Sequence, residues 1–343
     1  MQKINCEITA HSNFEHLQQV FTGFYLLKRQ GLINLTQKIK KVPHELFREV
    51  HTKVEINGKT VYYDMHDCGV ILPQYMEGVD FYFKRSYSPK MIAELPEDKQ
   101  KLVYPFGFNY QVLADGFDSL LLQRATFYQG KEKLKRIING FGFRKTATLN
   151  NLEAKPDFRT EPKVLFMARA WSDVDHKKQS NLAEQISRER AECIRALRKE
   201  FGKRFFGGLL IDDYSQKHFP DVLLPDNSLA KQTNYLNLLK TYPICIATKG
   251  LCNSNGWKIA EYVALSKSIV TEKILFEVTG NFKKDKHYLE FETPDQCVEQ
   301  CVKLFEDKSL REQMMKNNWD YYQNYQRPDK IIWNTIQTVI NEN

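Results

Sequence analysis

The chain has 343 residues, of which 42% are hydrophobic and 27% charged, and its formal net charge is +8. This composition excludes an intrinsically disordered chain, and no apolar run is long enough to cross a bilayer. The length predicts two domains. The polar start of the chain does not resemble a signal peptide, so we expect a cytoplasmic protein, with the inner membrane surface as a further place of action.

The first half is an irregular mixture of strands and helices. A strand is expected at 4–12 and a helix at 14–31. The residues 53–64 predict a hairpin, because Asn57-Gly58 supplies the positive φ angles of a type I′ turn. Further strands are predicted at 78–86 and 101–108, and a helix at 130–139.

The second half alternates regularly after a polar, proline-containing segment at 150–163. Its strands are continuously apolar, which is typical of a parallel sheet covered on both faces. The predicted strands are 163–171, 204–211, 243–248, 268–272 and 288–291. The predicted helices are 181–202, 233–242, a short helix after Gly256, 295–307 and 309–326.

The end of the chain predicts a separate helix at 329–342. Pro328 ends the preceding helix, since proline disfavours helical backbone in the residue before it. The final helix carries one apolar stripe that must be buried, and we expect it to pack on the first domain. The expected domains are 1–155, 156–326 and 327–343, the last of which is the returning helix.

Three loops of the second domain lie at the carboxyl ends of predicted strands, where parallel sheets bind ligands: 168–178, 248–256 and 271–280. The second of these loops ends at a helix N-terminus, whose free N–H groups favour a phosphate. Its small residues allow a phosphate to approach closely: Gly250, Ser254, Asn255 and Gly256.

Three charged residues near that loop predict a nucleoside diphosphate site. Lys258 lies in the first helical turn, and Arg169 follows the first strand of the domain, so both can neutralise phosphate. Glu261 lies one turn further and can accept hydrogen bonds from a ribose diol. The alternative is a surface ion pair between Lys258 and Glu261.

These segments resemble the glycosyltransferases with the GT-B fold. The stretch GWKIAEYVALSKSIV is similar to their nucleotide-binding element, VLFMARAWSD to the first strand and loop of their donor domain, and NYQRPDKIIWNTI to their terminal segment. The resemblance covers about residues 160–343. It places Glu261 on the ribose of a sugar nucleotide, and Lys258 and Arg169 on its diphosphate. Asn253 stands where many retaining members have a second glutamate, which leaves the stereochemical outcome open.

The resemblance implies a fold and an activity. The fold is α/β, with two Rossmann-like domains whose parallel sheets face each other across a cleft and a C-terminal helix that crosses back to the N-terminal domain. The activity is transfer of a sugar from a nucleoside diphosphate sugar to an acceptor hydroxyl, as in the synthesis of a cell-surface polysaccharide or glycoconjugate.

An inverting transferase needs a general base, which in this fold usually comes from the first domain. Asp67 and His11 follow predicted strands and are the candidates for this base. The alternative is that each is an ordinary loop residue that bonds only to nearby backbone. Lys84 and Arg85 end another strand and could contact an anionic acceptor, the donor phosphates or only solvent.

We expect no metal and no cofactor. Asp173-Val174-Asp175 has the Asp-x-Asp form that holds a divalent cation in other transferases. Because the helix terminus, Arg169 and Lys258 already supply positive charge to the diphosphate, a metal ion is unnecessary.

The expected partners are a sugar nucleotide and an anionic or membrane-associated glycan. Residues 1–150 contain 21 Lys and Arg against 15 Asp and Glu, a net charge of +6, which suits an acidic partner or simply maintains solubility. Nucleic acid is not the expected partner, because basic residues do not alternate with aromatic ones. The alternatives are a sugar-nucleotide epimerase, a phosphate-ester hydrolase and a non-enzymatic nucleotide- or polyanion-binding protein.

Overall fold

The computed structural model describes residues 3–10, 15–39, 50–115, 147–172 and 182–342. It contains two compact units. Unit 1 consists of Met1–Asn150, Phe276–Thr279 and Asn324–Asn343, and unit 2 of Asn151–Leu275 and Gly280–Gln323. Each unit is built on its own β-sheet with parallel strands, which confirms the predicted pair of Rossmann-like α/β domains. The helix predicted at 130–139 lies outside the described residues.

The elements follow one another in this order. The strands are β1 Ile4–Ala10, β2 Ile33–Ile39, β3 His51–Ile56, β4 Lys59–Asp64, β5 Phe81–Lys84, β6 Val103–Pro105, β7 Val164–Ala168, β8 Phe205–Leu209, β9 Ile244–Ala247, β10 Ser268–Glu272 and β11 Leu289–Phe291. The α-helices are α1 Gln18–Arg29, α2 Pro89–Ile92, α3 Glu97–Gln100, α4 Leu149–Leu152, α5 Leu182–Phe201, α6 Asp213–His218, α7 Gln232–Thr241, α8 Trp257–Ala264, α9 Pro294–Glu306, α10 Lys308–Tyr321 and α11 Pro328–Asn341.

The sheet of unit 1 has the order β2-β1-β3-β4-β5-β6. Within it, β3 is antiparallel to β1 and to β4, whereas the other described pairs are parallel. The cause is the predicted hairpin, in which Asn57 and Gly58 have φ angles of 48° and 83°. A two-residue turn can connect only antiparallel neighbours, so β3 departs locally from the parallel arrangement expected for this domain.

Helix α11 packs into unit 1, where its apolar stripe joins the core formed by α1 and the sheet. Ile332 of α11 lies against Gly23 of α1, where an added Cβ atom would overlap the Ile332 side chain. The Tyr63 hydroxyl and Thr335 Oγ1 are 2.7 Å apart and link β4 to the same helix. The buried members of the stripe are Ile331, Ile332, Thr335, Ile336 and Val339.

The sheet of unit 2 is parallel throughout, with the order β11-β10-β9-β7-β8. Its strands are buried almost completely, since helices α5 and α9 cover one face and α8 and α10 contribute to the rest of the core. This arrangement explains why the sequences of these strands are continuously apolar and do not alternate between apolar and polar residues.

Among the described residues, no helix combines the length and the apolar character that crossing a bilayer requires.

Candidate functional site

The carboxyl edge of the second sheet contains a topological switch point. From β7 the chain passes to β8 on one side and then to β9 on the other, so the loops after β7 and β9 diverge from each other. Such a point leaves a crevice outside the strand ends, and ligands of open α/β sheets bind there. The predicted residue Arg169 comes directly after β7, and the loop 248–256 comes directly after β9.

Arg190, on helix α5, holds these two loops at the switch point. Its Nη1 donates to the Arg169 carbonyl at 2.7 Å, its Nη2 to the Lys249 carbonyl at 2.9 Å, and its Nε to Thr248 Oγ1 at 2.9 Å. The guanidinium also stacks on the Trp171 ring at 4.2 Å. Arg190 therefore fixes the backbone on both sides of the crevice.

The charge of Arg190 is unusual for a buried group. Its side chain is only 5% exposed, and among the described residues no carboxylate forms a salt bridge with it. Burial lowers the pKa of Arg190 to about 10, while the more distant carboxylates of Glu272 and Glu189 act in the opposite direction. A buried cation that hydrogen-bonds only to neutral oxygens favours a nearby anion.

The loop after β9 is tightly folded. The Gly250 N–H donates to the Ser254 carbonyl at 2.9 Å, and a Cβ at Gly250 would lie 2.5 Å from Ser254 Oγ. Cys252 and Asn253 have φ angles of 58° and 54°, so the chain reverses through left-handed backbone. A cavity of about 10 Å³, room for one water molecule, lies beside this loop and the end of β10.

The loop leads into the N-terminus of α8. Gly256 is the N-cap and has no side chain that could accept a hydrogen bond from the first helical turn. A Cβ at Gly256 would approach the Thr248 carbonyl at 3.1 Å, so the small residue lets the helix begin close to the strand end. The N-terminus of α8 is therefore not capped by its own N-cap residue, which suits an anion site.

Lys258 lies in that first turn and is partly buried. Its Nζ donates to the carbonyl of Met167 in β7 and lies 5.0 Å from the centre of the Tyr235 ring. Restricted access of water lowers the pKa of Lys258, and the negative charge of Glu261 partly offsets this effect. The ammonium group therefore points across the switch point, where Arg169 is near enough to influence it.

Glu261 is also partly buried, one turn along α8. Burial raises the pKa of its carboxyl, whereas Lys258 and the nearby Tyr235 hydroxyl lower it. Among the described residues, the Tyr235 hydroxyl completes no hydrogen bond. A partly buried acid thus lies beside a phenol and the ammonium group of Lys258, with oxygen atoms that can accept from a ligand.

The predicted donor-site residues are therefore neighbours at one edge of the second sheet. Arg169 is exposed there, Ser254 is buried in the loop, and Gly250, Asn255 and Gly256 surround the start of α8. Their role in binding a nucleotide stays a prediction. The sequence did not indicate Arg190, since a single arginine inside an amphipathic helix has no local signature.

The predicted base Asp67 lies at the carboxyl edge of the first sheet. It forms a salt bridge with Arg85, and His16 Nε2 lies 3.8 Å from its Oδ2. Burial alone raises the pKa of Asp67, but the Arg85 charge and His16 lower it to about 2. His11, the other predicted base, lies outside the described residues.

Lys84 and Arg85 both have carboxylate partners within unit 1. Lys84 Nζ donates to Asp64 at 2.9 Å, and Arg85 pairs with Asp67. Both cations are buried. They are therefore internal ion pairs of this edge rather than a solvated surface pair.

The possible metal ligands Asp173 and Asp175 lie outside the described residues. Among the residues that the structure describes, no group of three His, Cys, Asp or Glu side chains could hold a metal ion. Asp212, which stands next to a second acid, Asp213, accepts from the Ser215 N–H at 2.7 Å and caps α6. This aspartate therefore has a structural role.

Comparison with known proteins gives matches only among solved structures. No protein-family model and no curated protein matches the chain. The similar structures include a putative UDP-N-acetylglucosamine 2-epimerase from Listeria monocytogenes, with 10% identity, 100% of this chain and 98% of that chain covered, and a TM-score of 0.42. An α1,3-fucosyltransferase with GDP has 14% identity, 99% and 91% coverage, and a TM-score of 0.40. The S. aureus MnaA structure with UDP has 11% identity, 98% and 74% coverage, and a TM-score of 0.40.

The resemblance to glycosyltransferases that the sequence suggested thus recurs among solved structures. All the TM-scores reported above are below 0.5, so these likenesses identify neither a reaction nor a substrate. The proposal that follows depends on the geometry of this chain.

Proposed function

We propose that this protein transfers a sugar from a nucleoside diphosphate sugar to an acceptor hydroxyl. The observation that carries the proposal is the position of Lys258 and Glu261 at the uncapped start of α8, beside the switch point between β7 and β9. The reaction serves the synthesis of a cell-surface polysaccharide or glycoconjugate, in the cytoplasm or at the inner membrane surface.

The diphosphate is proposed to bind at the N-terminus of α8. The first-turn N–H groups donate to its oxygens, and the small residues of the loop after β9 let it approach. Lys258 exchanges its hydrogen bond to the Met167 carbonyl for a phosphate oxygen, and Arg169 adds a second cation from the other side of the crevice.

The ribose is proposed to bind Glu261. Its carboxylate accepts hydrogen bonds from both hydroxyls of the diol, and a charged acceptor strengthens each bond. When the diphosphate binds, Lys258 turns towards the phosphate and stabilises the Glu261 carboxylate less. The two ribose hydroxyls then donate to the carboxylate in its place, so Glu261 stays ionised. The two residues therefore bind adjacent parts of one nucleotide.

The leaving group needs no metal in this proposal. As the bond from the sugar to the diphosphate breaks, negative charge grows on the diphosphate, and the helix terminus, Lys258 and Arg169 stabilise that charge. Arg190 adds a fixed positive charge behind the loops. The acceptor is proposed to be an anionic or membrane-associated glycan, with Asp67 and His11 as the candidate bases.

A thermal-shift screen with UDP, GDP and CMP tests the binding site, with heparin as a polyanion control. Stabilisation by a nucleoside diphosphate supports the proposal, whereas a response to heparin alone would identify a polyanion-binding protein. Incubation with a panel of sugar nucleotides then measures released nucleoside diphosphate. Release of nucleoside diphosphate together with a glycosylated product supports transfer. If the sugar instead changes its configuration when no acceptor is present, the protein is an epimerase.

A further inference from the structure

A buried carboxylate at the end of β4 orients a histidine in unit 1. Asp64 Oδ1 accepts from the His66 backbone N–H at 2.9 Å and lies 2.7 Å from His66 Nδ1. Its other oxygen accepts from the Tyr82 hydroxyl at 2.6 Å and from Lys84 Nζ at 2.9 Å. These four contacts hold the carboxylate in one position, and through it the imidazole ring.

The protonation of this pair follows from its partners. Burial alone raises the pKa of Asp64, but His66, Lys84 and Tyr82 together hold it well below its usual range, so the carboxylate is ionised. An ionised carboxylate needs a donor, so His66 carries its proton on Nδ1 when neutral. The lone pair is then on Nε2, with which no described residue forms a hydrogen bond.

His66 is also accessible at the edge of the sheet. Its side chain is 38% exposed, whereas those of Asp64 and Lys84 are 2% and 0% exposed. The arrangement is that of a histidine base oriented by a buried acid, in which the acid fixes the tautomer and stabilises the imidazolium that forms. Asp67, by contrast, is already neutralised by Arg85 and is a weak base.

One aromatic ring lies beside this histidine and a second lies beyond it. The His51 ring stacks 6.3 Å from that of His66, and Tyr75 lies 4.8 Å from His51. All three rings are partly exposed. Partly exposed aromatic rings combine an apolar face with a polar edge, which suits the C–H face and the hydroxyls of a sugar. The acceptor class that fits this surface is a carbohydrate.

We infer that His66 is the general base for the acceptor sugar and that Asp64 is its positioning residue, an inference that rests on the proposed function. His66 Nε2 takes the proton of the acceptor hydroxyl as its O–H bond breaks. The oxygen forms the new bond to the anomeric carbon, and the nucleoside diphosphate leaves with the electron pair of the broken glycosyl bond.

The test compares the wild type with His66→Gln and with the control His218→Gln, which changes an exposed histidine of unit 2. Transfer is followed as nucleoside diphosphate released from UDP-glucose, UDP-N-acetylglucosamine or GDP-mannose with p-nitrophenyl glycosides as acceptors. Loss of a general base lowers kcat by about 10²–10⁴-fold, so we expect that loss in His66→Gln and none in the control. The dissociation constant for UDP or GDP should stay unchanged.

Two further readings separate catalysis from a structural role. In His66→Ala, added imidazole should restore part of kcat. Asp64→Asn should lower kcat while leaving nucleotide affinity intact.

The possible failures are distinguishable. If His66→Gln keeps kcat within a few-fold of the wild type, or if imidazole rescues nothing while the melting temperature of His66→Ala falls, the base assignment is wrong although transfer stands. If the wild type binds no nucleotide, or binds it and releases no diphosphate, the proposed function is refuted and the role of His66 falls with it.

Discussion

Replacing Glu261 by glutamine tests the donor site most directly. The change keeps the size of the side chain but removes its charge and one of its two acceptor oxygens. A hydrogen bond to a charged group contributes about 1.5–3 kcal/mol. Each 1.4 kcal/mol corresponds to about tenfold in affinity, so Glu261→Gln should weaken UDP or GDP binding by about ten- to a hundredfold.

The same variant should leave the fold intact. Because burial raises the folded-state pKa of Glu261 above its ordinary value of 4.5, the ionised carboxyl costs stability at neutral pH. Glutamine removes this cost, although Lys258 then loses a favourable neighbour while keeping its bond to the Met167 carbonyl. We therefore expect a melting temperature that is unchanged or slightly higher.

Calorimetric titration of three ligands separates ribose recognition from phosphate recognition. Glu261→Gln should lose less affinity for a 2′-deoxynucleoside diphosphate than for the ribonucleotide, because one of the two hydroxyls that bond to the carboxylate is already absent from that ligand. Pyrophosphate, which has no ribose, should bind the variant at least as well as the wild type, since one negative charge has been removed. Glu299→Gln, at an exposed position on α9, is the matched control.

The reasoning would be refuted by two results. One is a loss of affinity in Glu261→Gln that is equal for the nucleotide and for pyrophosphate. The other is a loss of affinity in Glu261→Gln that is as large for the 2′-deoxynucleotide as for the ribonucleotide. Either result would mean that Glu261 acts on the phosphate region or on the fold and not on the diol.

Four further predictions concern the donor site, the need for a metal and helix α11. Because burial raises the pKa of Glu261 to about 7, the carboxyl takes up a proton between about pH 8 and about pH 6, and the wild type should lose its advantage over Glu261→Gln in affinity for UDP-glucose over that range. The comparison with the variant is needed because Lys258, whose pKa burial lowers to about 8, gains charge over the same range; an advantage that stays constant would contradict a role for the Glu261 charge. Transfer should survive EDTA, and loss of turnover that Mg²⁺ or Mn²⁺ restores would instead make Asp173 and Asp175 candidate ligands. Removal of the chain after Tyr325 should unfold unit 1 and abolish transfer, because each buried apolar side chain of α11 contributes about 1.5–3 kcal/mol. The milder Ile332→Ala should lower the stability to unfolding by about 2–5 kcal/mol in a urea titration, and a wild-type midpoint would contradict the packing.

Much of the fold follows from local signals in the sequence. The continuous apolar runs predicted the five strands of unit 2, and Asn57-Gly58 predicted the hairpin of unit 1. The apolar stripe after Pro328 predicted a buried helix, which α11 confirms. Strand β2, by contrast, was not predicted, because INLTQKI has no clear period and becomes a strand by pairing with β1.

The donor site was predictable where its residues are close in sequence. Gly256, Lys258 and Glu261 share one loop and one helical turn, so their spacing alone places them side by side. Arg190 could not be found in this way. Its three acceptors come from the loops after β7 and β9, which are far apart in sequence and begin next to each other only because these two strands pair in the sheet.

The pair of Asp64 and His66 shows the same limit in unit 1. In sequence, the acid that ends KTVYYD and a histidine two residues later are compatible with an ordinary loop. The parallel register of β4 and β5 places Lys84 beside Asp64, and although burial alone would raise the pKa of this acid, the bonds from His66, Lys84 and Tyr82 keep it ionised. Only then does His66 have a fixed tautomer, so its capacity to act as a base is a property of strand pairing and not of its own neighbours in sequence.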